Sequence, residues 1–273
     1  MIRLENLRVG FSQGGGAQGG SAQGAGEERI VLNDFNLSVP KGQTVSLIGS
    51  NGAGKSTVLN AIAGSVPILG GAIFLGEREC GGDPEWMRAL TVGRVRQNPL
   101  AGTAGEMTIL DNLALASRKG PRRLRFAVTS RIARNLADKV ADLGMGLENR
   151  LRENVSKLSG GQRQALTLLM AVLAEPSVLL LDEHTAALDP ANADLVSELT
   201  KRFVRQYSLT ALVVTHDMGR ALSEADRIVM MHAGEVVADV EGEEKDRMAV
   251  ADLVALFRKA RGSEYAEDRD LLR

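Results

Sequence analysis

The 273-residue sequence predicts an α/β fold in which apolar strands end in loops suited to binding phosphate. The segment GSNGAGKST, residues 49–57, stands between an apolar strand at 44–48 and an apolar helix at 58–63. The run 178–181 is uniformly Val and Leu, which is typical of a strand in the middle of a sheet covered on both faces. A similar strand at 210–214 also ends in polar residues.

The first of these features matches G-x-x-x-x-G-K-[ST], the phosphate-binding P-loop. Glycines let backbone N–H groups converge on phosphate oxygens at the N-terminus of a helix. Lys55 adds a positive charge at the β- and γ-phosphates, and the Ser56 hydroxyl completes a Mg²⁺ shell. A chance Gly-rich turn is the alternative, and the flanking strand and helix argue against it. The residues expected to contact a nucleoside triphosphate are Ser50, Asn51, Gly52, Ala53, Gly54, Lys55, Ser56 and Thr57.

A second helix N-terminus suited to an anion is predicted at LSGGQ, residues 158–162. Ser159 occupies the N-cap position, and Gly160 and Gly161 leave the backbone N–H groups open. Taken alone, such a motif is more often an ordinary helix cap. In a chain with a P-loop, we interpret Ser159, Gly160, Gly161 and Gln162 as a second phosphate contact.

Two carboxylates end the apolar strand at 178–181, where they would be costly without a cation or a polar cleft. Asp182 fits the aspartate that holds Mg²⁺, and Glu183 fits a base that orients the attacking water. His216 follows the strand at 210–214 and is expected to sense the γ-phosphate. A core or capping histidine is the alternative there.

Composition excludes several other classes of protein. The net charge of -1 and the pI of about 6.4 provide no global field to recruit nucleic acid. No run approaches the ~18 apolar residues of a membrane span, and the N-terminus reads as an alternating strand rather than a signal peptide. The single cysteine, Cys80, fits a reducing cytoplasm and is expected in a surface turn beside Gly81 and Gly82.

The remaining pattern predicts a β-rich N-terminal part, a helical stretch between Gln97 and Ser159, and a charged tail at 261–273. Residues 12–28 contain little that can be buried and are expected to form a flexible Gly-rich loop. Further strands are predicted at 2–9, 35–39, 71–75, 92–95, 227–231 and 235–240. Apolar residues at helical spacing predict three amphipathic faces: Ile132, Leu136, Val140 and Leu143; Leu195, Leu199 and Phe203; and Val250, Leu253, Val254 and Phe257.

The order GSNGAGKST, Gln97, LSGGQ, VLLLDE, AALD and His216 resembles the nucleotide-binding subunit of an ATP-binding cassette (ABC) transporter. The resemblance covers nearly the whole chain. It implies an α/β P-loop NTPase cassette of one domain, 1–273, that binds ATP and Mg²⁺. The expected parts are a RecA-like core sheet, an N-terminal antiparallel β subdomain and an inserted α-helical subdomain at 98–165.

The same resemblance implies roles for individual residues. Glu183 is the catalytic base, Gln97 the hinge residue that touches Mg²⁺ and the water, and His216 the switch. Asp189 lies in the loop that crosses the dimer interface. Phe11 stands where the family has an aromatic residue that stacks on adenine, and a plain apolar strand end is the alternative. The residues implied to bind nucleotide and Mg²⁺ include Lys55, Ser56 and Asp182.

The partners implied are a second copy of the chain, transmembrane permease subunits and, indirectly, a solute-binding protein. The subunit would lie in the cytoplasm, on the inner face of the membrane. The basic stretch 118–125 is by default a solvated loop, and contact with the permease or with lipid headgroups is the functional alternative.

Residues 93–116, 182–190 and 242–257 resemble a subgroup described as ATPases of amino-acid importers, often assigned to tryptophan or tyrosine. His184 replaces the proline found after the catalytic Glu in many cassettes, and Arg96 replaces a usual aromatic residue. The alternatives are a soluble non-transport ABC ATPase and an exporter subunit. A P-loop kinase or GTPase would lack LSGGQ.

Overall fold

A computed structural model of the protein describes residues 1–12, 28–118 and 128–261. The strands of this part of the chain are β1 (Ile2–Ser12), β2 (Glu28–Val39), β3 (Thr44–Gly49), β4 (Gly70–Leu75), β5 (Arg78–Glu79), β6 (Val92–Val95), β7 (Val178–Asp182), β8 (Thr210–Val214), β9 (Arg227–His232) and β10 (Glu235–Glu241). Its helices are α1 (Lys55–Ala63), α2 (Glu85–Arg88), α3 (Ile109–Ala116), α4 (Ser130–Ala141), α5 (Gly160–Leu173), α6 (Pro190–Gln206), α7 (Met218–Glu224), α8 (Gly242–Asp246) and α9 (Val250–Arg261). Short 3-10 helices lie at Pro99–Gly102, Leu147–Asn149 and Val155–Lys157.

The strands form two sheets. One is antiparallel, with the order β2-β1-β4-β5, and it contains the N-terminal strands. The other has the order β10-β9-β3-β8-β7-β6, in which β9, β3, β8, β7 and β6 are parallel and β10 is an antiparallel edge. Since parallel strands end at the same edge, the loops after β3, β6, β7 and β8 meet there. The predicted α/β class is therefore confirmed.

The parallel strands are apolar throughout because both faces of their sheet are covered. Leu180 packs with α1 and with residues of the antiparallel sheet. Its neighbours Leu179 and Leu181 point to the opposite face, where they pack with α5 and α6. Ile228 and Met230 on β9 meet α7 and α9. The sheet is thus held rigidly between helical layers, and its edge is a stable platform for the loops.

Most residues of the predicted amphipathic faces are buried, but the first residue of each predicted face is exposed. Leu136, Val140 and Leu143 enter the core around α5, whereas Ile132 is exposed. In α6 the buried side is Val196, Leu199 and Phe203, and Leu195 is partly exposed. In α9, Leu253 and Phe257 are buried and Val250 is exposed. The first apolar residue of each predicted face lies at the rim of a helix contact.

The expectation for Cys80 was wrong. Its side chain is buried in the core beside α1, and its Sγ lies 3.4 Å from the Ile73 carbonyl oxygen, to which it donates. The Cys80 backbone N–H also donates to that oxygen. Because Cys80 directly follows β5, the hairpin of β4 and β5 brings it against the core. The neighbouring glycines, Gly81 and Gly82, did not indicate this burial.

Several predicted segments fall wholly or partly outside the described residues. Of the loop predicted at 12–28, Ser12 ends β1 and Glu28 begins β2, and the two are paired across the hairpin. Arg118 alone represents the basic stretch 118–125, and of the tail at 261–273 only Arg261, the last residue of α9, is described. In the predicted helical insert, α5 continues beyond position 165. Within the described ranges, no helix is both long and apolar enough to cross a membrane.

Candidate functional site

The loops at the carboxyl edge of the parallel sheet enclose a pocket of about 270 Å³. Its walls are the loop between β3 and α1, the end of β7 and the end of β8. The lining residues are Arg29, Val31, Asn51, Gly52, Ala53, Gly54, Lys55, Ser56, Thr57, Glu183 and His216. The structure thus brings most of the predicted P-loop residues together with the two predicted catalytic residues that follow β7 and β8.

Two glycines explain why the loop has this shape. Gly54 caps α1 with a φ of 97°, a left-handed conformation that a residue with a side chain rarely adopts. Gly49 has a φ of 152°, and a Cβ there would collide with the carbonyl oxygen of Met231 on β9. The loop therefore passes directly against the neighbouring strand, and its residues 51–54 line the pocket at the N-terminus of α1.

Lys55 is buried and its charge is compensated within the loop. Its Nζ donates to the carbonyl oxygens of Gly49 and Ser50, at 2.7 and 2.9 Å. Burial lowers the pKa of Lys55, and the carboxylates of Glu183 and Asp182 oppose that change. The ammonium group therefore lies at the pocket, where phosphate oxygens can replace the two carbonyl oxygens as its hydrogen-bond acceptors.

The residues at the end of β7 fit a Mg²⁺ ion that is held jointly with a nucleotide. Ser56 Oγ donates to Asp182 Oδ1 at 3.3 Å, and burial raises the pKa of Asp182 against the opposing effect of Arg94. Magnesium prefers oxygen ligands and is bound by one or two carboxylates together with substrate phosphates. Among the described residues, no group of three or more His, Cys, Asp and Glu side chains forms a metal cage of its own.

Glu183 connects the predicted catalytic residues. Its Oε2 accepts a hydrogen bond from Gln97 Nε2 at 2.8 Å, and its Oε1 lies 2.6 Å from His216 Nε2. These side chains come from the ends of three strands: Gln97 follows β6, Glu183 follows β7 and His216 follows β8. Glu183 has a φ of 46°, an unusual conformation for a residue with a side chain.

The LSGGQ motif forms the expected helix cap at some distance from this pocket. Ser159 Oγ accepts from the Gln162 backbone N–H at 3.3 Å, and Gln162 Oε1 accepts from the Ser159 N–H at 3.2 Å. A Cβ at Gly161 would collide with the Asn192 side chain, so α5 packs closely on α6. Asp189 caps α6 by accepting from the Asn192 backbone N–H, and it also accepts from the Asn192 side chain. The side-chain bond and then the backbone bond lower the pKa of Asp189. In the described part of the chain, the residues lining the P-loop pocket include neither residues 159–162 nor Asp189.

The sequence analysis missed three residues near the pocket. Arg29 and Val31 on β2 line it, and the Arg94 guanidinium lies 3.9 Å from the Asp182 carboxylate. Phe11, predicted to contact adenine, is 43% exposed and pairs with Arg29 across the sheet, outside the pocket lining. Arg29 and Val31 belong to no motif, and only their alternation along β2 could have indicated that they share a face.

Comparison with known proteins agrees with this geometry. The family described as ABC transporter matches residues 32–186. The chain is 41% identical to a tyrosine transport ATP-binding protein of Clostridioides difficile (strain R20291), covering 86% of this chain and 94% of that protein. It is 36% identical to a choline transport ATP-binding protein of Bacillus subtilis (strain 168), covering 76% of this chain and 52% of that longer protein. The chain therefore belongs to the ABC transporter family.

Solved structures support the same assignment. A dimeric ATP-binding cassette in a post-hydrolysis state with ADP and Pi is 26% identical, with a TM-score of 0.72, and covers 88% of this chain and 98% of that one. A nucleotide-free cassette from an ABC transporter shares the fold at 20% identity, with a TM-score of 0.74 and coverage of 96% and 99%. Within its family, this protein is an ATP-binding subunit with ATPase activity.

Proposed function

We propose that this ATPase hydrolyses ATP with Glu183 as the general base. The observation that supports it is the pair of contacts that hold the Glu183 carboxylate, one to Gln97 and one to His216, at the mouth of the P-loop pocket. A water between Glu183 and the γ-phosphate would lose its proton to this carboxylate as it attacks. Gln97 orients the carboxylate and the water, and His216 contacts the γ-phosphate and keeps the carboxylate in place.

The phosphates are bound by residues 50–57, with Lys55 supplying the charge at the β- and γ-positions. The hydroxyl of Ser56, the carboxylate of Asp182 and the amide oxygen of Gln97 are the proposed protein ligands of Mg²⁺. Bound there, the ion supplies charge neutralisation at the β- and γ-phosphate oxygens. Phe11, on the strand next to Arg29, is proposed to contact the adenine.

The complete site is proposed to form between two copies of the chain. Ser159, Gly160, Gly161 and Gln162 offer a helix N-terminus to phosphate, but they do not line the pocket of their own subunit. In a head-to-tail pair they would contact the ATP held by the partner subunit, and Asp189 would lie at the interface. A dimeric cassette with ADP and Pi is among the structural neighbours.

We propose that the dimer powers an importer of a small solute, with an amino acid as the substrate class. The relatives named for tyrosine transport and for methionine import support this class. Transmembrane permease subunits would supply the membrane path and a solute-binding protein the selectivity. The ATPase would then lie on the cytoplasmic face of the membrane, bound to its permease, with no role for nucleic acid.

Replacing Glu183 by Gln tests the chemical role. The amide can hold a water but cannot accept its proton, so turnover should fall by about 10²–10⁴-fold while ATP still binds. The measurements are steady-state ATPase rate and nucleotide affinity, with size-exclusion chromatography to detect an ATP-bound dimer. Turnover near that of the wild type would remove Glu183 from the role of base.

Uptake assays test the transport role. Sequencing of the neighbouring genes would identify candidate permease and solute-binding proteins, and the protein would be co-expressed with them for ATP-dependent uptake in membrane vesicles. Labelled tyrosine, tryptophan and methionine should be taken up in preference to choline and sulfate. Uptake of choline or sulfate alone would contradict the amino-acid class, and efflux would contradict import.

A further inference from the structure

His184 follows the proposed catalytic base and lies at a junction of three elements. It is 6% exposed, directly after β7, and it faces both α5 and α6. From α5, Gln164 Nε2 donates to the His184 carbonyl oxygen at 2.6 Å. From α6, Thr200 Oγ1 lies 3.2 Å from the His184 ring nitrogen Nε2.

The direction of the second hydrogen bond follows from the proton count at Thr200. The Thr200 hydroxyl has one proton and donates it to the Val196 carbonyl oxygen at 2.8 Å. It can therefore only accept from His184, whose ring must carry its proton on Nε2. Burial, with a smaller effect from Arg220, lowers the pKa of His184 to about 4, so the ring is neutral at working pH.

The junction borders a cavity. His184 and Thr200 both lie in the lining of a cavity of about 470 Å³ between α6 and α7. Gln164 keeps its own Oε1 buried without a partner among the described residues, an arrangement that costs stability. The Gln164 side chain therefore serves the His184 carbonyl oxygen at the expense of its own amide oxygen.

The residue before His184 is the one that needs support. Glu183 has a φ of 46°, and residues with side chains persist in such conformations only where the surroundings hold them. Anchoring the next residue, His184, through its carbonyl oxygen and its ring supplies that support. The two helices involved are capped by Ser159 and by Asp189, the residues expected to face a partner subunit.

We propose that His184 is a positioning residue for ATP hydrolysis: its carbonyl oxygen is tied to α5 and its ring to α6, and this anchors the residue after Glu183 and so aligns the Glu183 carboxylate. This proposal rests on the proposed role of Glu183 as base. Turnover then depends on where the two helices lie, and therefore on the approach of the partner subunit to their N-termini. Within the described part of the chain, the residues lining the P-loop pocket do not include His184.

The test compares variants that differ in one donor or acceptor. His184→Met removes the Nε2 donor at similar volume, and Thr200→Val removes the acceptor. Each should lower kcat by about tenfold to a hundredfold, the cost of a misplaced catalytic group, with KM for ATP changed less than twofold. The double variant should lose no more than the worse single variant, because both lesions break the same bond.

Two further variants separate positioning from folding. His184→Gln keeps a donor close to the Nε2 position and should retain kcat within about threefold, since the hydrogen bond survives. Ser197→Ala is the matched control: it removes another buried hydroxyl of α6, one that donates to Glu224 on α7, and should leave kcat unchanged. Circular dichroism at the assay temperature verifies that each variant is folded.

The proposal is overturned if folded His184→Met and Thr200→Val retain wild-type kcat with only a lower melting temperature, or if His184→Gln is as slow as His184→Met. If His184→Met does not fold, the kcat of Thr200→Val alone decides whether the proposal stands. Failure of the underlying role of Glu183 is detected separately, as wild-type turnover by Glu183→Gln.

Discussion

Lys55 is the residue on which the nucleotide site depends most directly. A buried ammonium group is costly unless it is paired and hydrogen-bonded, and here two backbone carbonyls and two nearby carboxylates provide that compensation. The arrangement keeps a positive charge in a pocket that also contains Glu183. The same charge can then move from the loop carbonyls to the phosphates of a nucleotide.

Replacing Lys55 by Ala should therefore weaken ATP binding more than it weakens the fold. The alanine removes the charge at the β- and γ-phosphates, and we expect the Kd for ATP to rise by about tenfold or more, as for the loss of a charged hydrogen bond. Titration with a fluorescent nucleotide measures it, and thermal unfolding without nucleotide provides the control. Unchanged affinity would contradict the assignment of residues 49–57 as the phosphate site.

At the scale of elements, the hairpin of β1 and β2 carries Phe11 and Arg29 to the pocket side of the antiparallel sheet. Ser12 and Glu28 are partners at its end, so the pairing does not depend on a long connection. Arg29 and Val31 line the pocket from β2. The structure thus gives β2 a part in the pocket lining, and whether residues 13–27 are needed is a matter for experiment.

We therefore expect the hairpin to tolerate replacement of residues 13–27 by a short Asn-Gly turn. Asn-Gly favours the tight turns that join antiparallel strands, and loop length has only a weak effect on the entropy of closure. ATPase rate and KM for ATP should stay within about twofold, and the melting temperature should be unchanged or higher. A variant with residues 13–27 in scrambled order is the matched control. A large rise in KM in the shortened variant alone would assign this segment a role in covering the nucleotide.

For the whole molecule, the important fact is that the helix N-terminus at Ser159 and the pocket at Lys55 are separate within one chain. A shared site between two copies would unite them. Ser159→Arg places a bulky cation at that N-terminus. The variant should still bind ATP through its own P-loop, but two copies should fail to close around the nucleotide and ATP hydrolysis should be lost. Lys55→Ala should instead lose phosphate binding at the P-loop half of the shared site.

Mixing these two variants tests the shared site. A heterodimer contains one composite site with both lesions and one with neither, so ATPase activity should return to a measurable fraction of the wild type. Co-purification with two different affinity tags establishes that the heterodimer forms. Absence of activity in a purified heterodimer would indicate sites built within one chain, or two sites that work only together.

The sequence alone determined the class of fold and proposed most of the candidate site residues. Uniformly apolar runs are found in sheets buried on both faces, and the parallel strands of such a sheet end at one edge. The sequence therefore placed Lys55, Asp182, Glu183 and His216 at or just beyond the ends of predicted strands, and the structure brings Lys55, Glu183 and His216 into one pocket. These signals are local and repeated, so the predicted strands were located to within a few residues, apart from longer ends on β1 and β2, and the two-residue strand β5 was not predicted.

Only the tertiary structure decided what each side chain touches. Cys80 is buried because β4 and β5 fold back on the core, and Arg94 lies beside Asp182 because β6 and β7 are neighbours. The sequence marked His184 only as an unusual residue, whereas the fold gives it partners on α5 and α6. Such contacts join residues far apart in the chain, and their geometry depends on how whole helices pack. Neither the periodicity of an element nor the spacing of a motif contains that information.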